Sequence, residues 1–346
     1  MTGACRVERP ADSQSCAHGT LPRLLVGVVM SAVTGLACLL SAASDAQAQA
    51  WPVRPVRLIL PAPPGGGTDA VARTLAQKLS DAFGQPFIVE NKPGGSGVIG
   101  ASLVAKAPPD GYMLMISASV HLINALIMKQ VPYDAVADFA PITQIAEVPL
   151  IVTVHPASGI NDIRDLMARR DVPLNWAIAA IGSPDHLVAE SFRSVLNAPL
   201  TIVPYKGMGP AISDTLGGQV AGMSTPILSL ISHVRDGRLR AIAVTSLKRN
   251  VGVPSVPTLA ETVMPGFTMS SWYGLWGPRG LPAPLAAQIA AAARKGFLEP
   301  DIKVRFPPEG FEVIGSGPEE FARLIDLEVT RYGKIIREAK ISADQL

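Results

Sequence analysis

Short aliphatic runs alternate with stretches of helical period along most of the 346-residue chain, and no other feature constrains the fold as strongly. Val56-Arg57-Leu58-Ile59-Leu60 reads as a strand; after a Gly-rich turn, Val71, Leu75 and Leu79 recur at helical spacing until Gly84 ends the helix. Phe87-Ile88-Val89 is the next strand, followed by a second Gly-rich turn and a helix carrying Ile99, Leu103 and Val104. Pro108-Pro109-Asp110-Gly111 then turns the chain into Met113-Leu114-Met115-Ile116. Strands joined through helices run parallel, and a parallel sheet needs helices on its faces, so the fold class is α/β.

The alternation pauses over 142–154, which is extended, interrupted by Pro149 and without a helical pattern. One long strand leaving the first sheet is expected there. Strand signals resume at 176–179, 200–203 and 239–244, each separated by helical segments. A Pro-rich loop at 253–257 leads to a second extended piece, 267–276, and helices at 283–298 and 318–339 flank a short strand at 311–314. Two crossings that enclose a middle block predict two lobes, 51–148 with 274–346, and 149–273. A ligand cleft is expected between them, where strand C-terminal ends and helix N-termini converge.

Residues 1–50 differ from the rest. Arg23 precedes an apolar run over 24–43, and two small-x-small sites follow, Ala46-Gln47-Ala48 and Ala48-Gln49-Ala50. This reads as a cleavable signal peptide and hence as export. The alternative is a membrane anchor, since about 20 apolar residues span a bilayer, but Gly27, Ser31, Thr34, Gly35 and Ser41 dilute the run. Cys38 matches a lipid-acceptor site poorly. All three cysteines, Cys5, Cys16 and Cys38, lie in this leader, so thiol catalysis, Cys-ligated zinc and iron–sulfur chemistry are excluded together. The remaining chain of about 300 residues is long enough to fold without disulfides. Thirty basic against 28 acidic residues provide no basic surface for nucleic acid, and 48% apolar content excludes wholesale disorder.

Pro63-Pro64-Gly65-Gly66-Gly67-Thr68-Asp69 joins the first strand to the first helix. Its glycines and helix-start N–H groups suit an anion; the same residues also suit an ordinary turn capped by Thr68 with Asp69 in the first helical turn. Gly95-x-Gly97-x-x-Gly100 formally matches a dinucleotide fingerprint, but no acidic residue ends a second strand about 20 residues on. It reads as a tight turn into a close-packed helix, and no cofactor is expected. Ser183-Pro184-Asp185-His186 is a strong helix start. Ser183 and His186 as a hydrolytic pair lack a third orienting group, and the chain has no Gly-x-Ser-x-Gly elbow. The histidines after the leader, His121, His155, His186 and His233, show no metal-ligand spacing. Ser117-Ala118-Ser119 ends another first-lobe strand and either lines the cleft or forms a polar loop. Trp272 and Tyr273 either wall the cleft or pack a hinge.

The motifs together resemble one family. Pro64-Gly65-Gly66-Gly67-Thr68-Asp69, Val89-Glu90-Asn91-Lys92-Pro93-Gly94, Pro109-Asp110-Gly111-Tyr112, Pro132-Tyr133-Asp134, Val203-Pro204-Tyr205-Lys206-Gly207, Gly217-Gly218-Gln219-Val220 and Leu239-Arg240-Ala241-Ile242-Ala243-Val244-Thr245 are similar to the Bug family, the extracytoplasmic solute-binding subunits of tripartite tricarboxylate transporters. The resemblance covers essentially the whole chain after the leader. It implies a two-lobed periplasmic-binding-protein fold of type II-like build, a monomer in the periplasm, and delivery of a small carboxylate to a membrane permease. It implies no catalysis, metal or cofactor.

By the same resemblance the ligand-binding residues are Pro64, Gly65, Gly66, Gly67, Thr68 and Asp69, then Ser117, Ala118, Ser119 and His121, then Ile181, Gly182, Ser183 and His186, with Thr225 and Trp272. The chain departs from the family pattern at Ala62, where an aromatic is common, and at Ile178, Ala180, Ile181, Asp185 and Thr225. These changes predict a more aliphatic second-lobe wall and a monocarboxylate or partly apolar dicarboxylate in place of citrate. Asp185 then either presents a carboxylate to the cleft or points to solvent and favours the helix dipole. Two other functions fit the same residues, a sensory binding protein that addresses a membrane kinase and a periplasmic Ser183/His186 hydrolase.

Overall fold

The computed structural model describes residues 51–128, 130–168, 172–307 and 310–341. The leader, with its cleavage sites and Cys38, lies outside the described residues. From Arg54 onward the chain forms one compact unit.

The strands are β1 (Val56–Leu60), β2 (Phe87–Asn91), β3 (Met113–Ala118), β4 (Phe139–Val154), β5 (Leu174–Ile178), β6 (Leu200–Pro204), β7 (Gly222–Pro226), β8 (Arg240–Val244), β9 (Ser270–Pro278) and β10 (Glu312–Val313). The helices are α1 (Gly67–Phe83), α2 (Val98–Ala105), α3 (Val120–Ile127), α4 (Ile163–Ala168), α5 (Pro184–Leu196), α6 (Met208–Leu216), α7 (Ile231–Arg235), α8 (Leu259–Thr262), α9 (Ala283–Phe297), α10 (Pro300–Arg305) and α11 (Pro318–Ala339). None among the described residues is long and apolar enough to cross a membrane.

The strands run in the order β2-β1-β3-β9-β4-β7-β5-β6, with β8 and β10 also on β4. β1 is parallel to β2 and β3, and β5 is parallel to β6 and β7, as βαβ connections require. α1 and α2 both pack against β1, which is almost continuously apolar and buried, as a central parallel strand requires.

β4 is the long crossing strand. Its first part, Phe139 to Pro149, pairs antiparallel with β9, and from Leu150 it pairs with β7 and β8 instead. Thr245 fixes the exchange point: its Oγ1 accepts the Leu150 N–H and donates to the Met269 carbonyl. The second extended piece, expected as a return crossing, contains β9, which pairs with β3 and with the first part of β4 and so belongs to the first half-sheet; the expected boundary at 273/274 falls inside it. α11 buries Phe321, Ile325, Tyr332 and Ile336 and packs against α3 from one half-sheet and α5 from the other.

β7 was not legible in the sequence. Gly222-Met223-Ser224-Thr225-Pro226 has no aliphatic run, yet it occupies the centre of the second half-sheet. A Cβ at Gly222 would overlap the Thr153 carbonyl and approach the Trp176 ring, so burial there demands glycine rather than a β-branched residue.

Candidate functional site

β1 lies between β2 and β3, so the connections leaving β1 and leaving β3 diverge and open a crevice at the C-terminal ends of these parallel strands. There the starts of α1, α2 and α3 converge on a cavity of about 50 Å³. Thr68, Ser96, Gly97, Ser117, His121, Asn124 and Tyr133 form its polar lining, and Leu60, Pro61, Ala62, Ala118 and Val120 complete it. Among the described residues no Lys, Arg, Asp or Glu lines it. Ser117 is 5% exposed and its Oγ has no hydrogen-bond partner among the described residues.

Of the expected Gly-rich loop, Thr68 reaches the cavity, whereas Pro64, Gly65, Gly66 and Gly67 are exposed. Asp69 does not face a ligand. Its Oδ2 accepts the Gly65 N–H at 3.1 Å and the Arg73 Nε at 2.9 Å, and its Oδ1 accepts Asn91 Nδ2 at 3.0 Å. The Arg73 guanidinium first, then Asn91 and Gly65, hold the Asp69 carboxyl down at about 2 against the opposing effect of burial. Asp69 therefore shapes the loop and offers the cavity no carboxylate. The hydroxyl of Tyr273 stands against Gly67, where a Cβ would come within 3.2 Å of it.

The second half-sheet repeats the device. Asp185 neither enters the cleft nor points to solvent: it is 4% exposed, and its Oδ2 accepts the Ala179 N–H at 2.6 Å. Burial is the main influence on this carboxyl and pushes its pKa up. His186 Nδ1 accepts the Gly182 N–H at 3.0 Å, and its Nε2 lies 3.5 Å from Glu190 Oε1. Ser183 Oγ donates to the Ala180 carbonyl. Ser183 and His186 thus have separate partners and form no nucleophile–base pair. Gly182, at φ 77°, brings this loop against α3, where an added Cβ would overlap Ile127 and sit 3.6 Å from Asn124 Oδ1. Ile181 is half-buried against the core and does not line the cavity.

Three expected contributors stand away from the cavity. Ser119 is fully buried at the start of α3, and its N–H donates to the Trp272 carbonyl at 3.0 Å. The Trp272 ring is 1% exposed, with its centroid 6.3 Å from that of Trp276 and 5.6 Å from that of Phe321, so it packs in the core. Thr225 is fully buried, and its Oγ1 meets Met208 Sδ at 3.0 Å.

Ser96, Gly97, Asn124 and Tyr133 were not anticipated as lining residues. Asn124 Nδ2 donates to the Ser96 carbonyl at 2.7 Å, and Ser96 adopts φ 53°, a left-handed conformation that is uncommon for serine. One signal was available in the sequence: His121 and Asn124 are three apart in an otherwise apolar helix, so they share a face.

His121 is the one titratable ring in the lining besides Tyr133. Its Nε2 lies 3.2 Å from the Ala135 carbonyl, and the ring stacks on Tyr133 and meets Phe139 and Trp276 edge-on. Burial pushes its pKa down to about 4, so the ring is neutral at neutral pH.

Comparison with known proteins places this geometry. Residues 71–341 match the model of the tripartite tricarboxylate transporter family receptor. The chain is 33% identical to the protein BugT of Bordetella pertussis over 301 residues, 86% of this chain and 92% of that one. It is similar to R. palustris Rpa4515 solved with adipate, at TM-score 0.73 and 33% identity over 84% of this chain and 99% of that one. It is also similar to MatC from Rhodopseudomonas palustris with bound malate, at TM-score 0.70 and 30% identity over 83% of this chain and all of that one.

Proposed function

The chain belongs to the tripartite tricarboxylate transporter receptor family, and from that membership we propose that it captures a small carboxylate at the ends of β1 and β3 and delivers it to the permease of a tripartite transporter. The observation that carries this reading is a cavity rich in hydroxyls and helix starts, with no charged side chain lining it among the described residues. The first N–H groups of a helix have no partner inside it and attract anions, so a carboxylate needs no basic residue there. Both first-turn acids, Asp69 and Asp185, are turned onto their own loops and do not oppose an anion. The adipate and malate held by the two relatives support the ligand class.

In this reading residues 51–148 with 274–346 form one lobe and 149–273 the other, with the exchange of partners along β4 as the hinge. Thr68, Ser117, Ala118 and His121 contact the ligand, joined by Ser96, Asn124 and Tyr133. Gly182 and Ile181 close the cleft from the second lobe, and Pro64, Gly65, Gly66 and Gly67 form its rim. The protein is a non-catalytic monomer of the periplasm, released from its leader at 48 or 50. The separate hydrogen bonds of Ser183 and His186 support the absence of hydrolysis.

Thermal-shift screening of protein produced from Trp51, unfolded and refolded to remove retained ligand, tests this. A ligand at 100 times its Kd adds about 2.7 kcal/mol. With unfolding entropy of about 2.1 cal/mol/K per residue over roughly 290 residues, the midpoint rises by about 4 °C. No shift with any short mono- or dicarboxylate overturns the reading.

A further inference from the structure

Building on the carboxylate reading, we propose that His121 Nδ1 reads a hydroxyl on the ligand, so that this protein selects carboxylates bearing a hydroxyl on the adjacent carbon over the unsubstituted acids. The first step is the tautomer. The partner of Nε2 is a backbone carbonyl, which can only accept, so Nε2 carries the proton. A neutral ring then leaves Nδ1 as a bare acceptor, and Nδ1 has no hydrogen-bond partner among the described residues. Stacking on Tyr133 with Phe139 and Trp276 at the edges fixes the ring plane, so the acceptor cannot turn away.

An acceptor repels a carboxylate oxygen and calls for a donor. Among the hydroxyls of the same lining, Ser117 Oγ is buried without a hydrogen-bond partner among the described residues and can donate to the carboxylate. Donor and acceptor thus coexist in one cavity, which matches a head group carrying both functions. Size limits the spacing: a cavity of about 50 Å³ admits roughly three to five water-sized groups at 10–15 Å³ each. A carboxylate with the neighbouring carbon and its hydroxyl fills that space. An ammonium also donates, but among the described residues no acidic side chain lines the cavity, and a buried ammonium without a counter-charge is costly. The geometry therefore points to a hydroxyl and away from an amino group.

The test is calorimetry on refolded protein with two matched trios, malate, succinate and aspartate, and lactate, propionate and alanine. In at least one trio the hydroxy acid is expected to bind tenfold or more tighter than the parent acid, with the amino acid weakest. In His121→Leu the ratio of hydroxy to parent acid falls to within threefold of one, and in His121→Asn, whose Oδ1 stands near the position of Nδ1, the preference returns. The ¹⁵N resonance of Nδ1 is expected to move on adding the hydroxy acid and to stay in place with the parent acid. Equal binding of hydroxy and parent acids by the wild type overturns this inference and leaves the carboxylate reading standing. Tightest binding by an amino acid overturns the hydroxyl assignment. Absence of binding by every acid overturns the carboxylate reading and this inference with it. Should His121→Leu fail to fold, the wild-type ratios and the Nδ1 resonance still decide.

Discussion

Acidification from pH 7 to pH 4.5 should cost the wild-type fold stability that a His121→Asn variant does not lose. Burial among Tyr133, Phe139 and Trp276 holds the ring at about 4 against an ordinary 6.5. Above pH 6.5 both folded and unfolded chains carry the neutral ring, and it contributes no pH dependence. Below pH 6.5 the unfolded chain takes up a proton that the folded chain refuses, so stability falls with pH until the folded ring itself protonates near 4. Each pH unit in that window is about 1.4 kcal/mol, and the loss levels off near the folded pKa, reaching about 2.4 kcal/mol by pH 4.5. With an unfolding entropy near 2.1 cal/mol/K per residue over roughly 290 residues, this lowers the midpoint by about 4 °C. The assay is a series of ligand-free melts at pH 7.0, 6.0, 5.0 and 4.5 for both proteins. The smaller asparagine adds a constant offset, and only the change of the difference with pH carries the signal. Parallel curves across the series would refute the reasoning, as would a directly titrated His121 pKa of 6 or above.

Other substitutions probe the loops. Asp69→Ala leaves the Gly65 N–H without its acceptor and Asn91 Nδ2 with the Ala62 carbonyl alone, and should destabilise by about 1–3 kcal/mol; because the wild-type carboxyl sits at about 2, this contribution is complete above pH 3.8 and lost as pH falls through about 2, which urea titrations at pH 6 and pH 2 check. Asp185→Asn keeps an acceptor for the Ala179 N–H while removing a buried charge. It should match or exceed the wild type in urea at pH 7, with the difference shrinking towards pH 3 because the wild-type carboxyl is raised, whereas Asp185→Ala should lose about 1–3 kcal/mol. Gly182→Ala at φ 77° should cost about 1–2 kcal/mol from the backbone alone and weaken ligand binding further by driving its Cβ into Ile127; Ile127→Ala in the same chain should recover the binding component and leave the backbone component, as separated by calorimetry and melting.

Much of the scaffold was legible because its signals are local. The aliphatic runs that became β1, β3 and β8 and the period of α1 and α11 depend on side chains a few positions apart. β7 escaped because its glycine and hydroxyl residues are dictated by Trp176 and the β4 backbone, which lie far away in sequence. Within the site, Thr68, Ser117 and Ala118 stand out in the sequence because they end a strand or begin a helix, whereas His121 was named only through the family resemblance. Asn124 and Tyr133 could not be placed, because their role depends on how α3 and the segment before β4 close over the crevice.

The sequence by itself determined that the chain is an α/β protein and where most of its strands and helices lie. Local periodicity and composition carry those conclusions. Only the tertiary structure decided which polar groups are spent on the protein itself. Asp69, Asp185 and His186 look from the sequence like ligands for something external, yet each turns back onto the backbone of its own loop. Which hydrogen bond a side chain makes depends on what burial leaves within about 3 Å of it, and no spacing along the chain encodes that.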